Sequence, residues 1–379
     1  MVLCGADRLE EYREYFEGGR VGLITTPTGR LVNGRSTIDA LKELCDLQVL
    51  FGPEHGIRGD IEDAGNVAKT VDKKSGLPVY SLYEGQRRRM TEEMLDLFDI
   101  IVYDIQDVGS RYYTFISSLK NVIEDCASHG KRVVVLDRPD PLGGVITEGN
   151  VLDPSEYSFV GCYSLPVRYG LTPGEFALMV NKEMGLGADV KVVPCAVWER
   201  DSSFDRTGLN WVMPSPNIPN LETALVYVGT CLLEGTNMSE GRGTANPFQV
   251  IGAPYIHDPE ELAEAFNQKG FAGISATPYY FVPYTSKHQG KQCGGLHIHI
   301  NDPAVARPFE MGLTLLEMLN TRYEEFLFLP PVAGRDKPFI QMLSGMKLHM
   351  GFSASETLEK IRKENDTFIR RKEEFHLYK

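Results

Sequence analysis

The chain has 379 residues, 42% hydrophobic and 24% charged, an ordinary globular composition with enough apolar residues for two packed cores. Its formal charge of -13 argues against a nucleic-acid partner, because such binding rests on clustered Lys and Arg that release counterions. Seven scattered cysteines, odd in number and without a C-x-x-C pair, point to reduced thiols rather than a zinc ribbon or a disulfide framework. The first residues, MVLCGADRLEEYREYFEGG, carry acids where a signal peptide needs a basic start, and no segment approaches 18 uncharged apolar residues. The expectation is a cytoplasmic protein with no membrane partner.

From about Arg20 to Cys195, short β-branched runs alternate with amphipathic stretches, the pattern of βαβ units and a largely parallel sheet. Strands are predicted at 20–26, 47–51, 77–83, 99–105, 132–137 and 189–195. A helix over 36–47 starts on a Ser cap, and one over 111–130 ends at Gly130. A third begins TPGE, with Thr172 as cap, Pro173 at the first helical position and Glu175 completing a capping box. Residues 198–219, rich in Asp, Ser, Asn and Pro, read as a linker. The second half holds helix-like PEELAEAFNQKG and PFEMGLTLLEMLNTRY, strand-like YYFVPY and GGLHIHIND, and a charged C-terminal helix. The predicted fold is therefore α/β: a Rossmann-like, mostly parallel domain over 1–224, then a smaller α+β domain over 225–379.

Ligands in open α/β sheets bind at the carboxyl ends of strands. Three predicted strand ends carry acids and arginines. FGPEHGIRGD presents Glu54, His55 and Arg58; IIVYDIQDVGSRYY presents Asp104, Gln106, Asp107 and Arg111; RVVVLDRPDPLGG presents Asp137, Arg138 and Asp140. No G-x-G-x-x-G follows the first strand and no P-loop is present, so no nucleotide cofactor is expected. His297 and His299 alternate on one strand face and, with His55, offer a possible metal site, although no spacing fixes a third ligand. There is no G-x-S-x-G elbow for a nucleophilic serine. What remains abundant is carboxylate chemistry: Glu54, Asp104, Asp107, Asp137, Glu234 and Glu240 all sit in strand-end or glycine-rich contexts. Two carboxyl groups of differing pKa are what glycosidic cleavage requires.

Taken together, FGPEHGIRGD, AGNV, SGLPVYSLY, DIQDVGSRYYTFISSL, DRPDPLGG, SFVG with LPVRYGLTPGE, WVMPSPNIP, ALVYVGTCLLEGTNMSEGRGTANPFQVIGAP and HLYK resemble the exo-β-N-acetylmuramidase family. The similarity runs from about Arg20 to Lys379. It implies a Rossmann-like domain without a nucleotide, a smaller C-terminal domain, and an active site in the cleft between them. It also implies hydrolytic release of terminal N-acetylmuramic acid from the non-reducing end of peptidoglycan fragments, as in cell-wall recycling, with no cofactor and no metal.

On that footing Glu54 is the first candidate for general acid, with His55 orienting it or binding sugar. Asp107 and Glu240 are candidates for the second catalytic carboxylate. Asp104 either contributes beside them or salt-bridges Arg111 or Arg138, and Glu234 reaches the cleft or braces a loop. The lactyl carboxylate of muramic acid calls for a planar fork of donors, and Arg58, Arg111, Arg138, Arg168 and Arg242 are the arginines within the motifs. Gln106, Asn217 and Asn246 are candidates for hydrogen bonds to the sugar. Asp140 stands where the family usually has Asn, and Tyr169 where it usually has His. If either touches sugar, the substrate preference shifts. The alternatives are a metal-dependent hydrolase using His55, His297 and His299, and a non-catalytic muramyl-sugar binding protein.

Overall fold

The computed structural model describes residues 1–53, 57, 69–83, 85, 87–332 and 334–379. In chain order the first half comprises β1 (Val21–Thr25), α1 (Thr37–Leu44), β2 (Leu47–Gly52), β3 (Lys69–Val71), β4 (Pro78–Ser81), α2 (Glu92–Leu95), β5 (Ile100–Asp104), α3 (Phe115–Ser128), β6 (Arg132–Leu136), α4 (Pro173–Glu183) and β7 (Asp189–Val193). The second half adds α5 (Leu221–Thr230), β8 (Val250–Ala253), α6 (Pro259–Gln268), β9 (Ile274–Phe281), β10 (Cys293–Ile300), α7 (Pro308–Arg322), α8 (Phe339–Ser344) and α9 (Ala354–Lys372).

The first half builds a seven-stranded sheet in the order β3-β4-β2-β1-β5-β6-β7. All its pairings are parallel except that of β3 with β4 at the edge. The central strands read as apolar runs because both faces are covered, as parallel sheets require. Alternate residues divide between the faces. Ile101, Tyr103, Val133 and Val135 pack under α3 and α4, whereas Ile100, Val102, Val134 and Leu136 pack under α1 and the N-terminal segment around Leu9 and Phe16. Every strand predicted in this half is present; the short β3 carries too little pattern to be read from the sequence.

The capping box at Thr172 forms as predicted: the Thr172 hydroxyl accepts from the Glu175 N–H, and the Glu175 carboxylate accepts from the Thr172 N–H at 3.0 Å. Gly130 adopts φ 62, the left-handed residue expected after α3. Between β7 and α5 the described residues hold only a short 3-10 turn, Phe204–Arg206.

The second half forms a three-stranded antiparallel sheet, β8-β10-β9, packed with α5, α6 and α7. Its apolar core also takes in Val108, Tyr112, Leu142 and Val167 from the first half, so the two halves share buried surface. The C-terminal tail ties them further. Phe368 and Phe375 enter the core beneath the large sheet, and the Tyr378 hydroxyl bonds Asp137 at the end of β6. No helix among the described residues is long and apolar enough to cross a membrane.

Candidate active site

Gly52 and Ser81 are register partners, and the Leu82 N–H donates to the Gly52 carbonyl at 2.9 Å, so β2 and β4 leave the sheet side by side. Just beyond that exit, Tyr83 and Arg88 line a cleft of about 800 Å³. Tyr113 and Phe159 continue the wall from the first half. Asn217, Tyr227, Glu234 and Arg242 face them, and Arg335, Phe339 and Met342 lie along the same space. A cavity of this size, with aromatic faces and a few polar groups, suits a sugar-sized ligand.

The aromatic wall is fixed by its own packing. Tyr83 meets Phe159 edge-on, with ring centroids 5.3 Å apart, and its hydroxyl bonds Ser118 of α3 at 2.7 Å. Tyr227 packs edge-on against Tyr112, Tyr113 and Phe248. The Arg88 guanidinium lies over both Tyr83 and Phe159, 4.8 and 5.3 Å from their centroids.

The opposite wall carries the acids. Glu234 Oε1 accepts from Arg242 Nε at 2.8 Å and from Nη2 at 2.6 Å, whereas its Oε2 meets, among the described residues, only the Cys231 thiol, at 3.8 Å. Burial raises the Glu234 carboxyl above the ordinary range, while the Arg242 charge pulls it back down. Glu240 sits behind this pair. It is buried, bonded by Lys287 Nζ at 2.9 Å and 3.4 Å from Arg242 Nε. Lys287 also donates to the carbonyls of Leu233, Glu234 and Met238, so its ammonium bolts the acidic loop in place.

The tips of β5 and β6 are arranged differently. Asp104 is fully buried in a two-point pair with Arg138, at 2.6 and 3.0 Å, and also accepts from the Thr37 hydroxyl. Gln106 donates to the carbonyls of Asp107 and Pro139, both at 2.9 Å. Gln106 and Arg138 line a separate hollow of about 240 Å³ beyond β1 and β5, where the strand order reverses, rather than the cleft. Arg111 is buried and donates to four carbonyls, those of Asn150, Leu165, Leu343 and Ser344. Arg168 is likewise buried, against Glu148 and the Leu142 carbonyl. The fork of Arg138 is occupied, those of Arg111 and Arg168 are sealed from solvent, and none of the three borders the cleft. Each braces the frame instead of offering itself to a ligand.

Asp107, expected as a catalytic carboxylate, lies beneath the surface. Its Oδ1 accepts from the N–H groups of Val108 and Gly109 and from the Tyr169 hydroxyl at 2.9 Å, while Oδ2 is buried without a partner among the described residues. Burial pushes its pKa up to about 6. Asp140 is its companion, also buried with an unpartnered Oδ2 and pushed by burial up to about 7. Gly109, at φ 75, is required between them, because a Cβ there would lie 2.4 Å from Asp140 Oδ1. Neither acid lines the cleft, nor does Tyr169, so the two departures at 140 and 169 fall in the frame and not on the cleft wall.

The family follows from comparison with known proteins. The model for the N-terminal part of exo-β-N-acetylmuramidase NamZ matches residues 21–222, and that for its C-terminal part matches residues 225–378. The chain belongs to the exo-β-N-acetylmuramidase NamZ family. A peptidoglycan β-N-acetylmuramidase NamZ of Bacillus subtilis (strain 168) is 43% identical over 332 residues, covering 86% of this chain and 80% of that protein. Two crystal structures of DUF1343 family proteins from Bacteroides fragilis NCTC 9343 share the fold. One has a TM-score of 0.89 at 35% identity and the other 0.79 at 28%; each match covers 100% of this chain and 99% of the other.

Within this family frame, Glu54, His55 and Arg58 lie outside the described residues. Of the remaining candidates, the structure brings Asn217, Glu234 and Arg242 to the cleft, with Glu240 behind them. Asn246 sits in the turn that closes on Val250 and does not line the cleft. His297 and His299 share a face of β10 with ring centroids 4.3 Å apart, packed beside Tyr279 and Thr277 and away from the cleft. Reading the acids, arginines and amides of the strand-end and family motifs missed Tyr83, Arg88, Tyr113, Phe159, Tyr227 and Arg335. Three of the tyrosines stand inside the family motifs SGLPVYSLY, SRYYTF and ALVYVG, where an aromatic beside a strand or helix end was the available signal.

Proposed function

We propose that this chain is an exo-acting glycoside hydrolase that releases terminal N-acetylmuramic acid from the non-reducing end of peptidoglycan fragments. The observation that carries the reading is where the cleft falls. The two family-model matches meet between residues 222 and 225, and the cleft takes Tyr83, Arg88, Tyr113 and Phe159 from one match and Tyr227, Glu234 and Arg242 from the other. The division into 1–224 and 225–379 belongs to this reading, with the tail after α9 returning to the first part. The Bacillus subtilis relative, named for β-N-acetylmuramidase activity on peptidoglycan, supports the same reaction class.

Glycosidic cleavage needs a proton for the departing oxygen and a carboxylate for the positive charge that develops at the anomeric carbon. Glu54 is the proposed proton donor, because it follows Gly52 by two residues in sequence, and Gly52 is the last residue of β2, which leaves the sheet beside the Tyr83 exit. His55 is its proposed neighbour in orienting that proton. Glu234 is the proposed second carboxylate, in place of the buried Asp107: it borders the cleft, Arg242 fixes it through one oxygen, and among the described residues its other oxygen has only a thiol contact. Glu240 supports it through the shared Arg242. Asn217 is placed to bond a hydroxyl or the acetamido group. The test is Glu54→Gln assayed on a chromogenic β-N-acetylmuramide. Turnover is expected to fall by ~10²–10⁴-fold while binding of N-acetylmuramic acid persists. Undiminished turnover removes Glu54 from the mechanism.

A further inference from the structure

We propose that Arg88 determines specificity by gripping the free lactyl carboxylate of the sugar, so that the cleft selects muramic acid residues that carry no stem peptide. This rests on the glycosidase reading for the identity of the sugar, but its evidence is the state of one guanidinium.

Among the described residues, three arginines line the cleft: Arg88, Arg242 and Arg335. Arg242 is committed, since its Nε and Nη2 both donate to Glu234 and Glu240 lies 3.4 Å away. Arg335 is exposed, and its side-chain contact among the described residues is a 3.9 Å approach to the Met342 sulfur, so no described residue fixes its long side chain in one geometry. Arg88 differs from both. Its Nη1 donates to the carbonyls of Gly85 and Arg87, both at 2.8 Å, and its guanidinium carbon lies against the rings of Tyr83 and Phe159. No carboxylate among the described residues pairs with it, and the donors of its Nε–Nη2 edge have no acceptor there. A guanidinium held rigid on one side and left open on the other is what a planar carboxylate needs for a two-point bond. Contact with two rings also removes much of the rotamer freedom that binding would otherwise have to freeze.

The lactyl group of muramic acid ends in a carboxylate when free and in a neutral amide when a stem peptide is attached. The amide has one acceptor oxygen and no charge, so it cannot satisfy both donors of the open edge. Arg88 therefore distinguishes the bare sugar from the peptide-bearing one, and would equally disfavour N-acetylglucosamine, which lacks the ether altogether.

Calorimetric titration of the full chain with N-acetylmuramic acid, and with the same sugar carrying its lactyl carboxylate as an amide, tests this. The unaltered protein is expected to prefer the acid. Arg88→Gln should weaken binding of the acid by ~10–100-fold, the scale of a charge-assisted hydrogen-bonded pair, while leaving the amide unchanged. Arg88→Lys, which keeps the charge and loses the fork, should fall between. In turnover of a chromogenic β-N-acetylmuramide the same loss should appear in KM with kcat nearly constant. Equal affinity of Arg88→Gln and the unaltered protein for the acid overturns the proposal, as does a parallel loss for acid and amide. Failure of the glycosidase reading looks different: no turnover by the unaltered protein, with the acid-over-amide preference and its dependence on Arg88 intact.

Discussion

Two carboxylate–arginine pairs in this molecule contrast sharply: Asp104–Arg138 at the tips of β5 and β6, and Glu234–Arg242 on the far wall of the cleft. The first is sealed, with side-chain exposures of 0% and 6%, and Asp104 has both oxygens occupied, by Nε at one and by Nη2 and the Thr37 hydroxyl at the other. The second is open to the cleft, at 18% and 34%, and concentrates both arginine donors on one oxygen of Glu234. The same residue types thus do opposite jobs. A carboxylate with both oxygens engaged holds the frame, whereas one held by a single oxygen keeps the other for a ligand.

Breaking the sealed pair should have the largest effect. Asp104→Asn leaves the Arg138 charge buried without a counter-charge, and the expected loss is about 3–5 kcal/mol of stability, read as a lower denaturation midpoint. Turnover per folded molecule should change little. Glu234→Gln should behave in reverse. Stability is expected to move by less than about 1 kcal/mol, because the pair is partly solvated, while turnover falls by ~10²-fold or more. If Asp104→Asn abolishes turnover in folded protein, or Glu234→Gln is fully active, the division between frame and cleft fails.

Much of this organisation is legible in the sequence. The β-branched runs, the Ser36 and Thr172 caps and the glycine after α3 are local signals, and the structure follows them closely. The acids and arginines at the strand ends were visible too, but not which way each was used. Asp104 and Asp107 are three residues apart in sequence and neither borders the cleft, because the frame draws them toward Arg138 and Tyr169, distant in sequence. The aromatic wall was illegible for a related reason. Tyr83, Phe159 and Tyr227 come from three separate segments, and nothing local in the sequence marks them as sharing one wall. Nor did the tail announce that Tyr378 would bond Asp137 or that Lys372 would be buried among the carbonyls of Gly144, Tyr169 and Gly170. A charged helix at a chain end reads as solvated until its partners are known.

The smallest predicted effect lies within the frame itself, at Asp107 and Asp140. Both carboxyl groups titrate higher in the folded chain, at about 6 and about 7, than the ordinary 3.8 of an unfolded aspartate, because burial disfavours their charged forms. The folded state therefore binds more protons than the unfolded state between about pH 4 and pH 7. Stability from this pair is complete below about pH 4 and declines as pH rises through the two folded values, the reverse of the usual salt-bridged aspartate. Asp140→Asn fixes one member in a neutral form that can still donate a hydrogen bond, beside an acid that has an unpartnered oxygen. The variant should match the unaltered protein at pH 4, exceed it by about 1 kcal/mol at pH 8, and show a shallower fall between them in melts across that range. Turnover should be unchanged, since neither acid touches the cleft. A variant that is less stable at pH 8 would show instead that Asp140 is held as a carboxylate, with the nearby Arg168 and Lys372 charges outweighing its burial.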